Sequence, residues 1–142
     1  MALKVIKTVA WVAEINDQPG TLASCLGTLA AAGADLECVI GHRQPDKPGR
    51  GVIYVGPLKG RKVRKAAASA GFHASKRVAT LRIEGVDRPG LGAKIARAVG
   101  AAGVNMRGVS AVAMGRTFVC NLGFDSKTDA DKAARAIKHM AG

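Results

Sequence analysis

The hydrophobic positions of the chain first follow a period of two. Between residues 5 and 15, Val9, Trp11 and Ala13 fall on one face, and Thr8 and Glu14 fall on the other. This alternation predicts a β-strand with one buried face. The strand ends at residues 16–20 (NDQPG), whose composition is typical of a turn.

Helical and strand periods then alternate. A stripe at helical spacing predicts an amphipathic helix that ends at Gly33. Alternation at 36–40 and a short apolar run at 52–55 predict two strands, separated by a loop at 44–49. A second helical stripe ends at Gly71. The two stripes consist of Leu22, Cys25, Leu26 and Leu29, and of Val63, Ala66, Ala67 and Ala70.

The same order of elements returns about seventy residues later, as an internal repeat. Residues 17–20 (DQPG) match residues 87–90 (DRPG), and residues 31–36 (AAGADL) match residues 101–106 (AAGVNM). The spacing between the two matches is the same in both copies. The chain is therefore predicted to contain two units.

The second copy begins with a predicted strand at 79–83, and a helical stripe follows its Pro-Gly turn. Two strands at 105–114 and 117–124 come next, joined at a Gly-Arg turn. A last helix, with Thr128 as its expected N-cap, carries the final stripe. The two stripes consist of Leu91, Ile95, Ala98, Val99 and Ala102, and of Ala130, Ala133, Ala134, Ile137 and Met140.

These elements predict an α+β fold made of two ferredoxin-like (βαββαβ) units in tandem. The first unit is assigned to residues 1–77 and the second to residues 78–142. The closing strand of the first unit must come from residues 72–77. No residues remain after Met140 for a closing strand in the second unit, so we expect that sheet edge to stay open or to be covered by another segment.

The composition is that of a globular protein, with 142 residues of which 48% are hydrophobic and 23% charged. No apolar run approaches the ~20 residues of a membrane span, and no signal peptide is evident. Cys25, Cys38 and Cys120 form no C-x-x-C pair, which indicates reduced thiols. We therefore expect a cytoplasmic protein with no membrane partner. The histidines are scattered, so no metal and no cofactor are predicted.

The net charge of +12 is concentrated in the middle of the chain, because residues 47–83 hold ten Lys or Arg and no acid. This excess favours an anionic partner, either a nucleic acid or an acidic protein. A solvated helix face that keeps the protein soluble explains the charge equally well. The cations of the second predicted helix and its approach are Lys59, Arg61, Lys62, Arg64 and Lys65.

The two Pro-Gly turns lie where a strand leads into a helix. The first backbone N–H groups of a helix are unpaired, its dipole favours a carboxylate, and glycine permits close approach. Each turn is therefore a potential carboxylate pocket. The alternative is that Pro-Gly only makes the turn, with Asp17 and Asp87 as local caps.

The complete pattern resembles the ACT domain, in tandem. The resemblance rests on a strand followed by Asp-x-Pro-Gly, an amphipathic helix, Ala-Gly-(Ala/Val)-(Asp/Asn)-(Leu/Met), two strands and a helix. It covers nearly the whole chain, and residues 86–106 are the more typical copy. It implies a non-catalytic regulatory protein, because ACT domains bind small molecules, most often amino acids, at interfaces between two units.

The resemblance also implies where a ligand binds: at the turn before the first helix and at the start of the next strand. Asn105 offers both a donor and an acceptor to an amino-acid head group. Asp35 departs from the pattern and would repel a carboxylate unless it pairs with an ammonium, so the first unit is expected to bind a different ligand or none. The implied site residues are Asp17, Gly20, Thr21, Leu22 and Asp35 in the first unit, and Asp87, Gly90, Leu91 and Asn105 in the second.

Two other functional classes stay open. An enzyme would need a nucleophile–base pair or a phosphate-binding loop, and neither has a local signature, so we predict no catalytic residues. A nucleic-acid-binding protein would use the basic segment for sequence-independent phosphate contacts, although the aromatic content of 4% disfavours base stacking. The ACT resemblance and the open sheet edge also predict at least a homodimer.

Overall fold

The computed structural model describes residues 2–142. Within them the chain forms eight strands and four helices, all connected by short turns and loops. In chain order they are β1 (Leu3–Thr8), β2 (Trp11–Asn16), α1 (Thr21–Ala31), β3 (Cys38–Arg43), β4 (Arg50–Gly56), α2 (Arg61–Ser69), β5 (His73–Ala74), β6 (Ala79–Val86), α3 (Leu91–Ala101), β7 (Met106–Met114), β8 (Thr117–Phe124) and α4 (Lys127–Ala141).

The chain folds as two compact units. The inserted unit is Val9–Ser75, and the split unit consists of residues 2–8 together with Lys76–Gly142. Each unit contains a four-stranded antiparallel sheet, with strand order β3-β4-β2-β5 in the inserted unit and β1-β6-β8-β7 in the split unit. Two helices belong to each sheet. The predicted α+β class with ferredoxin-like units is confirmed.

The single strand predicted at residues 5–15 is two strands that belong to different sheets. β1 pairs antiparallel with β6, whereas β2 pairs antiparallel with β4. Val5 packs on the core of the split unit, and Ala13 lies in the core of the inserted unit. Both inward-facing residues are odd-numbered, so the period-two alternation continues through the break at Val9 and conceals it.

The division predicted from the sequence therefore differs from the structure at the N-terminus, because residues 2–8 lie in the split unit. The predicted limit between residues 77 and 78 lies close to the boundary between Ser75 and Lys76. β1 occupies the sheet position for which no residues remain after Met140. The free edge of β6 is thus covered by the N-terminal strand.

The core of the split unit lies between its sheet and the helices α3 and α4. Alternate residues of β6 and β8 point into it, and each helix adds one apolar stripe. Phe124, at the end of β8, is fully buried. The buried residues are Leu81, Ile83, Leu91, Ile95, Val99, Val104, Phe118, Cys120, Leu122, Phe124, Ala130, Ala133, Ala134 and Ile137.

An ion pair also ties β1 to the split unit. Lys7 Nζ on β1 lies 2.5 Å from Asp131 Oδ1 on α4. This ammonium lowers the pKa of the Asp131 carboxyl below its ordinary value, so the carboxylate stays charged at neutral pH. The pair adds to the apolar contacts that Leu3 and Val5 make with the core.

The inserted unit has a smaller core of the same design. Its closing strand, β5, pairs with β2 over only two residues, within the segment 72–77 predicted for it. Phe72, just before β5, is buried and extends the core toward this short edge strand. The buried residues are Ala13, Leu29, Ile53, Val55, Leu58, Val63, Ala67 and Phe72.

The last helix begins earlier than predicted. Ser126, not Thr128, is the N-cap of α4, and its hydroxyl oxygen accepts a hydrogen bond from the Asp129 N–H at 3.0 Å. Thr128 lies inside the first turn, where its hydroxyl cannot take the capping position. Asp129 remains in that turn, where its charge favours the helix dipole.

We expect that shortening Val5 loosens the split unit and leaves the inserted unit intact. Val5→Ala removes about 1 kcal/mol of apolar burial from the contact between β1 and the core. Amide hydrogen exchange should therefore speed up in β6 and stay unchanged in β4. Lys4→Ala, on the exposed side of the same strand, is the matched control. Equal loss of protection in β4 would contradict the assignment of β1 to the split unit.

Candidate functional site

The Pro-Gly turn of the split unit leads directly into α3. Gly90 is the N-cap residue and adopts a left-handed conformation, φ 81° and ψ 3°, which favours glycine. The Leu91 N–H donates to the Arg88 carbonyl at 3.2 Å, and the Lys94 N–H donates to the Gly90 carbonyl at 3.0 Å. No side chain caps the helix. The N–H groups of the intervening residues have no acceptor within the helix, as at any helix start.

The turn of the inserted unit has the same geometry. Gly20 is the N-cap of α1, with φ 87° and ψ −13°, and again no side chain caps the helix. A Cβ added at Gly20 or Gly90 would meet no heavy atom within 4 Å. Glycine is therefore required at both positions by the backbone conformation and not by a lack of space inside the unit.

Asp17 and Asp87 tie the turns to the neighbouring hairpin loops. The Asp17 N–H donates to the Gly49 carbonyl at 3.0 Å, and the Asp87 N–H donates to the Arg116 carbonyl at 2.7 Å. The Asp17 carboxylate also pairs with Arg43, with Nε 2.7 Å from Oδ2. Neither aspartate caps its helix, so the alternative of a local cap does not hold.

The two leucines that follow the turns have different environments. Leu91 is only 2% exposed and lies in the core of the split unit, whereas Leu22 is 46% exposed. The side chain of Leu91 therefore contributes to the core, and only its backbone can reach a ligand. Thr21, at the first position of α1, is half-buried.

Asn105 and Asp35 lie at the other end of their units. Each is exposed and precedes the strand that follows the first helix, β7 or β3. α3 has 11 residues and is about 16 Å long at the helical rise, and it separates Gly90 from Asn105. Since α1 has the same length, the inserted unit shows the same separation. Within one unit, the two implied parts of the site are therefore apart.

Asp35 lines an open pocket of about 350 Å³ in the inserted unit. The Glu37 N–H donates to the Gly56 carbonyl at 2.9 Å, which holds this segment beside the loop between β4 and α2. Two carboxylates, of Asp35 and Glu37, thus share a pocket with the Lys59 ammonium. The lining residues are Gly33, Ala34, Asp35, Glu37, Pro57 and Lys59.

Glu37 and Pro57 are absent from the set of residues implied by the resemblance. The spacing of Asp35 and Glu37 is the only local signal, because residues two apart point the same way in an extended segment. The pairing of this segment with the β4–α2 loop is a tertiary contact. The sequence alone contains no sign of it.

The two units differ in charge at equivalent positions. Asn105 is neutral, and its neighbour Arg107 pairs with Asp125 across 3.3 Å. The pocket at Asp35 carries one more negative than positive side chain. A ligand that suits one position electrostatically does not suit the other equally.

The described residues offer little chemistry of other kinds. Within residues 2–142 no group of three or more His, Cys, Asp or Glu could hold a metal ion. Burial raises the pKa of the Cys120 thiol to about 11, so this thiol is protonated and unreactive at neutral pH. None of the helices in this part of the chain is long and apolar enough to cross a membrane.

The order of strands and helices in both units is that of a tandem ACT-type fold, as the sequence resemblance predicts. No family model and no curated protein matches the chain. Solved structures match it over nearly its whole length, at identities that establish the fold alone.

One of these structures is the regulatory subunit of aspartate kinase from Thermus thermophilus in its ligand-free form, with 19% identity, a TM-score of 0.68, and 100% of this chain and 98% of that chain covered. The regulatory subunit of aspartate kinase from Thermus flavus matches with 21% identity and a TM-score of 0.61 over 100% and 98%. A protein from Bacteroides thetaiotaomicron matches with 16% identity and a TM-score of 0.77 over 95% and 89%.

We expect equivalent substitutions after the two turns to have unequal effects on stability. Leu91→Ala removes a fully buried side chain and should lower the free energy of unfolding by about 3 kcal/mol. Leu22→Ala removes a half-exposed one and should cost less than about 1 kcal/mol. Urea denaturation of both variants measures the difference. Equal losses would contradict the different burial of the two leucines.

Proposed function

We propose that the chain is a non-catalytic regulatory protein that binds a small effector, an amino acid, at its ACT-type sites. The fold supports this proposal, because solved structures that share it include two regulatory subunits of aspartate kinase. The three cysteines are reduced thiols, which fits a reducing compartment, and we assign the protein to the cytoplasm.

The observation that carries the proposal is the separation, within each unit, of the two implied parts of the site. We call these parts half-sites: the turn before the first helix, and the residue that precedes the next strand. An amino acid has a carboxylate and an ammonium on one carbon atom. The free N–H groups at the start of α3 suit the carboxylate, and the Asn105 amide suits the remaining head-group atoms. Because α3 separates them, we place the complete site between two chains, with the turn of one split unit facing Asn105 of a second copy.

The pocket at Asp35 favours a ligand group of different charge. Its two carboxylates repel an effector carboxylate and attract an ammonium. Lys59, which also lines the pocket, supplies one balancing positive charge. We therefore assign the Asn105 position to the head group of the amino acid, and the Asp35 position to a cationic group or to no ligand.

A site shared by two chains fits a homodimer. β7 is an edge strand of nine residues in the split unit. Three of its apolar side chains are exposed: Val109 (61%), Val112 (61%) and Met114 (79%). An exposed apolar edge strand favours pairing with another strand. Because β1 covers the edge of β6, the exposed edge available for dimer formation is that of β7.

The effector is identified by a thermal-shift screen of the twenty amino acids and the common nucleotides. A ligand that binds only the native state raises the melting temperature by mass action. Asn105→Ala should then weaken binding of the identified amino acid by about 1–3 kcal/mol, because polar ligand groups lose their partner. Calorimetry measures this change. The fold should survive, since Asn105 is exposed and precedes β7.

Asp35→Asn is the matched control for this experiment. It changes the equivalent position of the inserted unit, and binding at the split unit should stay nearly unchanged. Binding by Asn105→Ala at the wild-type affinity, with an unchanged melting temperature, would remove Asn105 from the site. The Pro89-Gly90 turn would then be a structural turn only.

The dimer is tested by charge on the edge strand. Val112→Glu with Met114→Glu places two carboxylates on β7, and we expect it to raise the dimer dissociation constant at least about tenfold, measured by sedimentation. Val86→Glu, at the exposed end of β6, is the control and should leave the dimer intact. A wild-type chain that is monomeric at micromolar concentration, with or without effector, would contradict the proposal.

A further inference from the structure

The helix α2 is strongly amphipathic, with all of its charge of one sign. Val63 and Ala67 are buried in the core of the inserted unit. Four cations are exposed on the rest of the helix, within an arc of about 160° at the helical rotation. These residues, which we name the α2 basic face, are Arg61, Lys62, Arg64 and Lys65.

The cations of the α2 basic face have no acidic partner within the described residues. Three other cations of the inserted unit do form ion pairs. Arg43 pairs with Asp17, and Lys47 and Arg50 lie 3.1 and 3.8 Å from the Glu14 carboxylate oxygens. Of the four face residues, Arg64 is fixed by a hydrogen bond from Nε to the buried Leu58 carbonyl, at 3.1 Å.

The positions of these charges are also unfavourable for the stability of α2. The first turn of α2 contains no acid, and its N-cap, Gly60, provides no side-chain cap. Arg61 and Lys62 instead add positive charge at the positive end of the dipole. The helix α4 has the favourable arrangement, with Ser126 as cap, Asp129 in the first turn and basic residues in the last turn. Helix stability therefore does not explain the charge on α2.

We propose that the α2 basic face, together with Lys59, docks an acidic segment of another protein. The face is complementary in charge to a run of carboxylates, and binding would relieve the repulsion among its cations and with the helix dipole. The α2 basic face belongs to the inserted unit, whereas Gly90 and Asn105 belong to the split unit. The proposal therefore does not depend on the identity of the effector.

Two features favour an acidic protein over a nucleic acid. The basic face is short, because α2 has nine residues and spans about 13 Å. Lys59, at one end of it, shares a pocket with Asp35 and Glu37. A duplex presents phosphates at regular spacing and would bring some of them against these carboxylates. A protein segment has discrete charges and can avoid them or place a cation there.

The test uses two charge reversals that change the net charge of the full chain equally. Arg61→Glu with Lys62→Glu alters the α2 basic face. Lys94→Glu with Arg97→Glu alters exposed cations on α3 and is the control. The probes are a fluorescent oligoglutamate peptide and a short DNA duplex of unrelated sequence. Fluorescence anisotropy measures the affinity of each variant for each probe between about 50 and 200 mM salt.

We expect the α2 pair to weaken oligoglutamate binding at least about tenfold, and the α3 pair to weaken it less than about threefold. Duplex binding should fall equally in both variants. The melting temperature of the α2 variant should not fall, because acids in the first turn favour the helix. The response to amino acids in the thermal-shift screen should also persist, which separates this proposal from the effector site.

Three results would overturn the proposal. Equal weakening of oligoglutamate binding by both pairs would mean that only net charge matters. Duplex binding that depends on the α2 pair more than on the α3 pair would identify the partner as a nucleic acid. No measurable oligoglutamate binding by the wild-type chain at low salt would leave the α2 basic face as a solvated surface.

Discussion

The pairing of β1 with β6 determines the organisation of the whole chain. It brings the N-terminal residues into a sheet whose other strands come from the C-terminal half, with Val5 opposite Ile83. The inserted unit therefore lies, in sequence, between two strands of one sheet. Closing so long a loop costs conformational entropy, although the cost grows slowly with length. A compact inserted unit shortens the effective loop, so its own folding favours completion of the split unit.

Much of this fold is predictable because its signals are local. The helical stripes, the Pro-Gly turns and the repeat at a constant offset predict both units and nearly all their elements. The break between β1 and β2 is not predictable from alternation, because the inward positions of both strands have the same parity. The choice of Ser126 over Thr128 as a cap depends on two residues of helix length, which hydrophobic spacing does not resolve.

At the candidate site, the two copies of the sequence repeat differ in burial and in charge at matching positions. Matching positions hold Leu22, which is half-exposed, and Leu91, which is buried. The backbone conformation at both turns is nevertheless the same, because glycine with positive φ begins each first helix. What the units share is therefore the geometry of the backbone donors. What distinguishes them is the side chain that precedes the next strand, neutral in Asn105 and acidic in Asp35.

The distribution of charge follows the structural units and not the order of the chain. The basic segment 47–83 crosses the boundary at Ser75, so its last three cations, Lys76, Arg77 and Arg82, belong to the split unit. The split unit holds fourteen Lys or Arg against five Asp or Glu, whereas the inserted unit holds eight against five. Net charge alone would therefore direct an anionic partner to the split unit. On α2, however, four cations share one helix without an acid, and at short range local density outweighs net charge because salt screens distant charges. An acidic protein segment with discrete charges would therefore bind α2. A polyanion with evenly distributed charge would bind according to the net charge of each unit.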